Sequence, residues 1–343
     1  MTAAAFVEMV RGGLVESSHA VHAAVVDVRG GLVASAGDPD RPTHFRSAAK
    51  PIQALPLVED GVVDDLGLTD EELAVCCASH GAEPAHLEAV RSILRRAGVG
   101  EEALRCGAER PLRPASGTGC ASMSPEGGPL PIHHNCSGKH AGMLALASAM
   151  GWQTEAYHRP AHPVQRRMHR EVARWTGLDP QDLVTAVDGC GVQCFGGPLR
   201  ALATAMARLG DAARKGEAAA RVIHAMIDHP FMVGGSGRTC TDVMARAGGL
   251  TFVKVGAEGV FVGGLPEEGV GFALKVADGA WRAANVAVVA LLAELGALDE
   301  QMLAALADHA RPRVSNSRGE EVGFLRMRGP CLTAKLGAPA RRA

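Results

Sequence analysis

The sequence predicts a single α+β domain whose sheet is formed by strands from both ends of the chain, with helices between them. Three observations predict this: β-type apolar runs come early ("HAVHAAVVDVRGGLVASAGD") and late ("LTFVKVG", "GVGFALKVADG"), helical periodicity fills the middle, and no repeat, low-complexity block or linker divides the chain. At 343 residues with 47 % apolar content, the chain can bury a large core, as one domain or as two lobes. The lobes would be the terminal strands with the late helices, and a central helical region.

The early run reads as two strands joined by an Arg29-Gly30-Gly31 turn, a hairpin signal. Helical patterns follow over 47–60, 70–78 and 84–97, the second opened by a capping box of Thr69 and Glu72. Residues 106–135, rich in Gly, Pro and Ser, read as a long ordered loop. Helices are expected over 137–150 and 163–176, with two more between about 197 and 228. The two late β runs read as adjacent strands, and the apolar helix "AANVAVVALLAELGAL" is expected to pack across their sheet.

A formal net charge of -2 leaves neither a basic footprint for nucleic acid nor an acidic tail. No apolar run approaches the roughly 18–20 residues of a membrane span. The start "MTAAAFVEMVRGG" lacks a basic segment followed by an apolar core, so a cytoplasmic location is expected. Nine cysteines without regular spacing suggest reduced thiols rather than a disulfide framework.

Of 35 basic residues only six are lysines: Lys50, Lys139, Lys215, Lys254, Lys275 and Lys335. Surface charge is thus left mainly to arginine, which keeps its proton, whereas a desolvated lysine can lose it. Lys215 and Lys335 read as solvated. Lys50, Lys139, Lys254 and Lys275 lie among apolar or small residues and are the candidates for chemistry.

In "HFRSAAKPIQAL", Ser47 and Lys50 stand at i and i+3 near a helix start, so the amine can reach the hydroxyl, and free helix N–H groups can hold an oxyanion. S-x-x-K is the nucleophile motif of penicillin-binding proteins and class A β-lactamases, but alone it is weak. In "CCASHGAEPAH", Ser79 closes a helical run and is either a C-capping serine or a partner group. Lys254 in "FVKVGAEG" is similar to the lysine of the K-T-G strand in the same enzymes, and its apolar neighbours leave its direction open. In "HHNCSGKHAGML", Cys136 and Lys139 repeat the i, i+3 spacing beside His133, His134 and His140, and Cys190 follows in "AVDGCGVQC". With no C-x-x-C or H-x-x-x-H, spacing alone favours buried structural cysteines over a metal site.

Together, "FRSAAKP", "ASHGAEPAH", "HNCSGKHAGML", "VDGCG", "HPFMVGGSGRTCTDVM", "KVGAEGV", "GFALKVADG" and "NSRGEEVG" resemble the asparaginase II family, in order from about residue 6 to 325. These are the amidohydrolases related in structure to serine β-lactamases, not the threonine-dependent asparaginases. The resemblance implies a β-lactamase-like or penicillin-binding-protein-like α+β fold, paired as a homodimer. It implies two serine–lysine dyads, Ser47 with Lys50 and Ser79 with Lys254, and a zinc ion held by Cys136, Lys139 and Cys190 near Asp188. The implied reaction is hydrolysis of L-asparagine to L-aspartate and ammonia through a Ser47 acyl-enzyme. Arg46 for the substrate carboxylate, Asp188 for its ammonium, and His140 complete the expected binding set. One departure stands out: after "VDGCG" the family commonly continues with a proline-containing run, whereas "VQCFGG" follows here, which puts amide selectivity in question. Two alternatives use the same fold: a β-lactamase or peptidase, and a catalytically silent zinc- or amino-acid-binding protein.

Overall fold

The structure is a computed structural model that describes residues 4–112 and 128–335. The strands are β1 (Ala5–Arg11), β2 (Leu14–Asp27), β3 (Leu32–Ala36), β4 (Pro42–His44), β5 (Val184–Val187), β6 (Gln193–Pro198), β7 (Phe252–Gly256), β8 (Val260–Leu265), β9 (Val270–Val276), β10 (Arg313–Ser315), β11 (Glu321–Arg328) and β12 (Ala334–Lys335). The helices are α1 (Lys50–Glu59), α2 (Val62–Asp65), α3 (Asp70–Cys76), α4 (Pro84–Arg96), α5 (Ser137–Ala149), α6 (Pro163–Thr176), α7 (Leu199–Lys215), α8 (Ala220–Asp228), α9 (Pro230–Gly234), α10 (Thr239–Ala247), α11 (Trp281–Glu294), α12 (Glu300–Ala305) and α13 (Ala307–Ala310). The chain divides into two compact units. One takes the chain up to Thr43, Pro198–Asp211 and everything from Asp242 on; the other takes His44–Gly197 and Ala212–Thr241.

In the first unit the ends of the chain build one sheet in the order β10-β11-β1-β2-β9-β8-β7, with β3 joining β2 and β12. The pairing of β1 with β11 (Phe6↔Arg328) and of β2 with β9 (Val21↔Val276) joins the early and late parts of the chain, so the α+β class and the joint terminal sheet are as expected. The Arg29–Gly31 turn also forms: Gly30 takes φ +82, and Asp27 Oδ1 accepts from the N–H groups of Arg29 and Gly31. Helix α11 packs on β1, β8, β9 and β11. Its residues Ala283 to Val289, with Leu291 and Leu292, are all buried, as an all-round apolar helix requires.

The two late strand runs are not neighbours. β8, "VFVGGL", lies between β7 and β9 and pairs with both, so the expected adjacency is corrected to a three-strand meander. The β1 strand and the β5–β6 hairpin likewise form where no strand was expected.

The second unit is a helical body around α5. That helix is buried from Ser137 through Ala147 and packs against α1, α3, α4 and α6. The capping box of α3 forms as the sequence indicates: Thr69 accepts from Glu72 N–H and Glu72 accepts from Thr69 N–H. Because α5 runs through the core, its polar residues Lys139 and His140 are buried with it. A charged or polar group in such a place has to be paired. Of the expected long loop, residues 113–127 lie outside those described, as does the side chain of Lys335. Lys215 is exposed, as expected.

Candidate active site

Phe45 N–H donates to Phe195 O at 2.7 Å, anchoring the entry to a 3-10 turn over Arg46–Ala49. Arg46 itself sits at φ +51, a left-handed conformation that costs a residue with a Cβ about 1–2 kcal/mol. The strain is offset by the fold around it, including an ion pair from Arg46 Nε to Asp188 Oδ1 at 2.9 Å in partly buried surroundings. Strain of this kind collects at functional positions, and this one directly precedes Ser47.

Lys50 opens α1 and is fully buried, with Pro51 next to it in the first turn, where a missing N–H costs nothing. The spacing of Ser47 and Lys50 leads one to expect that they bond to each other. Among the described residues they do not: Lys50 Nζ donates to Ala78 O and, at 3.1 Å, to Ser79 Oγ. Ser47 is half-buried, and among the described residues its hydroxyl makes no hydrogen bond. Ser79 is 5 % exposed, three residues past the end of α3, with its N–H donating to Val233 O at 3.0 Å rather than capping the helix.

The second cluster is built on α5 and on the β5–β6 hairpin. Asp188 to Val192 form the hairpin loop, closed by Asp188 N–H to Val192 O and turned by Gly191 at φ +85, which places Cys190 inward at 3 % exposure. Lys139 Nζ donates to Cys190 Sγ at 3.2 Å. A hydrogen bond from the Cys190 thiol holds the Cys136 thiol well below its ordinary pKa against the effect of burial, helped by the Lys139 ammonium. Donating that bond, together with burial, raises Cys190. Burial alone would lower Lys139, but the Cys190 and Cys136 sulfurs and Asp188 outweigh it and hold the ammonium. Among the described residues no three or more His, Cys, Asp or Glu gather as a metal site. The converging donors are two sulfurs and one amine, a set suited in hardness and number to zinc once the amine and both thiols are deprotonated.

His140 Nδ1 meets Tyr157 Oη at 2.6 Å, and Arg105 N–H donates to the same oxygen at 3.0 Å. Tyr157 is the only tyrosine of the chain and is fully buried, and nothing in the sequence reading singled it out. Its rarity, like that of the lysines, was the available signal. Lys254 lies in the first unit, on β7, fully buried, with Nζ donating to Val255 O at 2.9 Å. Among the described residues Lys275 on β9 donates only to the carbonyls of Glu258 and Val276, which reads as a structural lysine rather than a reactive one.

The unit therefore brings together Lys50 with Ser79, Lys139 with Cys136 and Cys190, and Arg46 with Asp188. A profile of the L-asparaginase II family matches residues 7–327. No curated protein sequence matches the chain. Among solved structures, the chain is similar to a β-lactamase from Mycobacterium bovis at 16 % identity, over 80 % of this chain and 94 % of that one, with a TM-score of 0.32.

Proposed function

Because the chain belongs to the L-asparaginase II family, whose profile covers nearly all of it, its activity is of the amidohydrolase kind, and we propose that it hydrolyses L-asparagine to L-aspartate and ammonia. The observation that carries this reading is the buried Lys50 amine bonded to Ser79 Oγ at 3.1 Å, one turn after a Ser47 hydroxyl that makes no hydrogen bond among the described residues. Ser47 Oγ attacks the side-chain amide carbon as Lys50 takes its proton, and N–H groups of the adjoining helix start hold the oxyanion. Lys50 and Ser79, already in contact, pass that proton to the amide nitrogen, so that the C–N bond breaks and ammonia leaves. Lys254 is assigned as the partner of Ser79 by family resemblance alone. Water then cleaves the ester, with the same groups acting in reverse.

Arg46 and Asp188 form a cation–anion pair of the kind an amino acid's carboxylate and ammonium can replace, and they are proposed to hold those two groups of the substrate, with His140 nearby. Zinc held by Cys136, Lys139 and Cys190 would supply an electrophilic anchor for a substrate group, the nucleophile being already provided by serine. A cytoplasmic homodimer completes the proposal. The cytoplasmic setting is supported by the eight described cysteines, all free and buried, and by the lack, among the described residues, of a helix long and apolar enough to cross a membrane; the dimer rests on the resemblance.

Ammonia release by the purified protein from a panel of amides tests this reading. Release from asparagine, lost in Ser47→Ala, is expected. Hydrolysis of a β-lactam or a peptide in place of any free amide would favour the related serine hydrolases instead.

A further inference from the structure

His80 follows Ser79 directly and is fully buried, yet no step above uses it. Ala82 N–H donates to its Nδ1 at 3.1 Å, so that nitrogen carries the lone pair and the ring proton sits on Nε2. Nε2 then donates to Ser137 Oγ at 3.0 Å. The turn that delivers the Ala82 N–H holds Ala82 at φ +54, one of four described non-glycine residues with positive φ, at a cost of about 1–2 kcal/mol. Burial first, and then the neighbouring His86, keep the imidazole well below its ordinary pKa, so it stays uncharged. The His86 ring stacks on it with centroids 5.1 Å apart and planes 13° apart.

Ser137 is not a neutral anchor, because it lies between Cys136 and Lys139 at the start of α5. The backbone repeats the connection: His80 N–H donates to Asn135 O at 3.2 Å, on the other side of Cys136. The helices behind these bonds have no slack. A Cβ on Gly138 would lie 2.2 Å from Val75 O, so α5 rests backbone against backbone on the end of α3, from which the chain runs on to Ser79 and His80.

We propose that His80 is a positioning residue: as the Nε2–H tautomer bonded to Ser137, it sets the register between Ser79 and the Cys136–Lys139 turn. One imidazole thereby ties the proton-transfer serine to the thiol–amine cluster, and both can address one bound substrate. A register error of 1 Å at such a site costs on the order of a hundredfold in rate. The part of this inference that concerns turnover rests on the amidohydrolase reading; the part that concerns the cluster does not.

The test compares full-length wild type with His80→Asn, whose shorter side chain cannot reach Ser137, with His80→Gln, which can place an N–H near the Nε2 position, and with Ser137→Ala. Three quantities are read: kcat and KM for asparagine, zinc affinity by chelator competition, and the imidazole nitrogen resonances of wild type. The expected results are an Nδ1 lone pair with a slowly exchanging Nε2–H, and a loss of about tenfold or more in kcat and in zinc affinity for His80→Asn and Ser137→Ala. KM is expected to change little, and His80→Gln to recover much of both losses. The double variant His80→Asn with Ser137→Ala is expected to be no worse than either single one. An Nδ1–H tautomer would overturn the proposal. So would variants that lower only the melting temperature while kcat and zinc affinity stay at wild-type values, because that is what a purely structural histidine does. If wild type cleaves no amide but the nitrogen resonances and zinc affinities behave as expected, the amidohydrolase reading fails and the role of His80 stands. If wild type binds no zinc, kcat and the resonances decide alone.

Discussion

Two lysines of the helical unit invite comparison. Lys50 stands three residues after Ser47 and Lys139 three after Cys136; each is within the first turn of a helix, and each is buried, at 0 % and 4 % exposure. In sequence they look like two copies of one device. Among the described residues neither donates its hydrogen bond to the residue three before it. Lys50 goes to Ser79 and Ala78, which are neutral oxygens, and Lys139 goes to Cys190, beside a Cys136 thiol held toward its thiolate. The i, i+3 spacing sets which face of a helix two residues share; it does not decide which group an amine meets there. In the proposed reaction the first lysine moves protons to and from hydroxyls, and the second, among soft donors, serves as a counter-charge or a ligand.

The sharpest way to break this comparison is to remove the nucleophile and then each amine in turn. Ser47→Ala is expected to abolish ammonia release from asparagine. Its melting midpoint should stay close to wild type, because Ser47 is half-buried and its hydroxyl makes no hydrogen bond among the described residues. Lys50→Met should lower turnover by about 10²–10⁴-fold, the usual range for a lost general base, while zinc content by elemental analysis stays at wild-type level. Lys139→Met should do the reverse at the metal and lose zinc. If both variants lost zinc together, or Lys50→Met kept its rate, the division of labour between the two lysines would be wrong.

The same contrast can be sharpened by pH. Lys139 and Cys190 both hold their protons more tightly than usual, so the proposed zinc would have to displace a proton from each, whereas Cys136 already leans toward thiolate. Zinc affinity measured by competition should therefore tighten steeply as pH rises, and a flat profile would remove Lys139 and Cys190 from the ligand set.

A smaller effect concerns stability. Burial holds His80 and His140 well below the ordinary histidine value of 6.5, so the unfolded chain binds protons there that the folded chain refuses. Their contribution is complete above that value and is lost as pH falls below it, by about 1.4 kcal/mol per pH unit for each imidazole until the folded-state values are reached. Urea midpoints between neutral and mildly acidic pH should show that slope. The least change is expected from Ala82→Gly, which relieves the left-handed strain, keeps the N–H to His80, and loosens the unfolded chain. These effects oppose each other, so stability should shift by less than about 1 kcal/mol and activity should hold. A loss of activity there would mean that the methyl group itself matters at the turn.

The comparison also marks where sequence reading ends. The helices over 70–76, 84–96 and 163–176 were legible from periodicity and caps, since those signals act within a turn or two of the chain. β8 was not legible, because "VFVGGL" carries two glycines that weaken any strand signal. Packing demands them: a Cβ on Gly263 would lie 2.4 Å from Phe252 O and 2.6 Å from the Phe272 ring. The hairpin of β5 and β6 was hidden in the same way by Gly196 and Gly197, and by a β5 whose residues are all exposed and so carry no alternation.

At the site, the scarcity of lysines singled out Lys50 and Lys139, while spacing alone left Ser47 a weak motif, Ser79 open and Cys136 and Cys190 structural cysteines; only the resemblance to the asparaginase II family gave these residues their expected roles. His80, Ser137 and Tyr157 went unassigned, since a buried imidazole, hydroxyl or phenol acquires its role from a partner that spacing does not name. By itself the sequence determined helix starts, caps, the hairpin turn and the helix faces on which the reactive groups stand, all set by interactions within a few residues. Tertiary structure alone decided that Lys50 meets Ser79, 29 residues on, and that Lys139 meets Cys190, 51 residues on. Contacts at that separation form only when packing has already fixed both segments, because a buried amine bonds to whatever acceptor the packed core brings within about 3 Å.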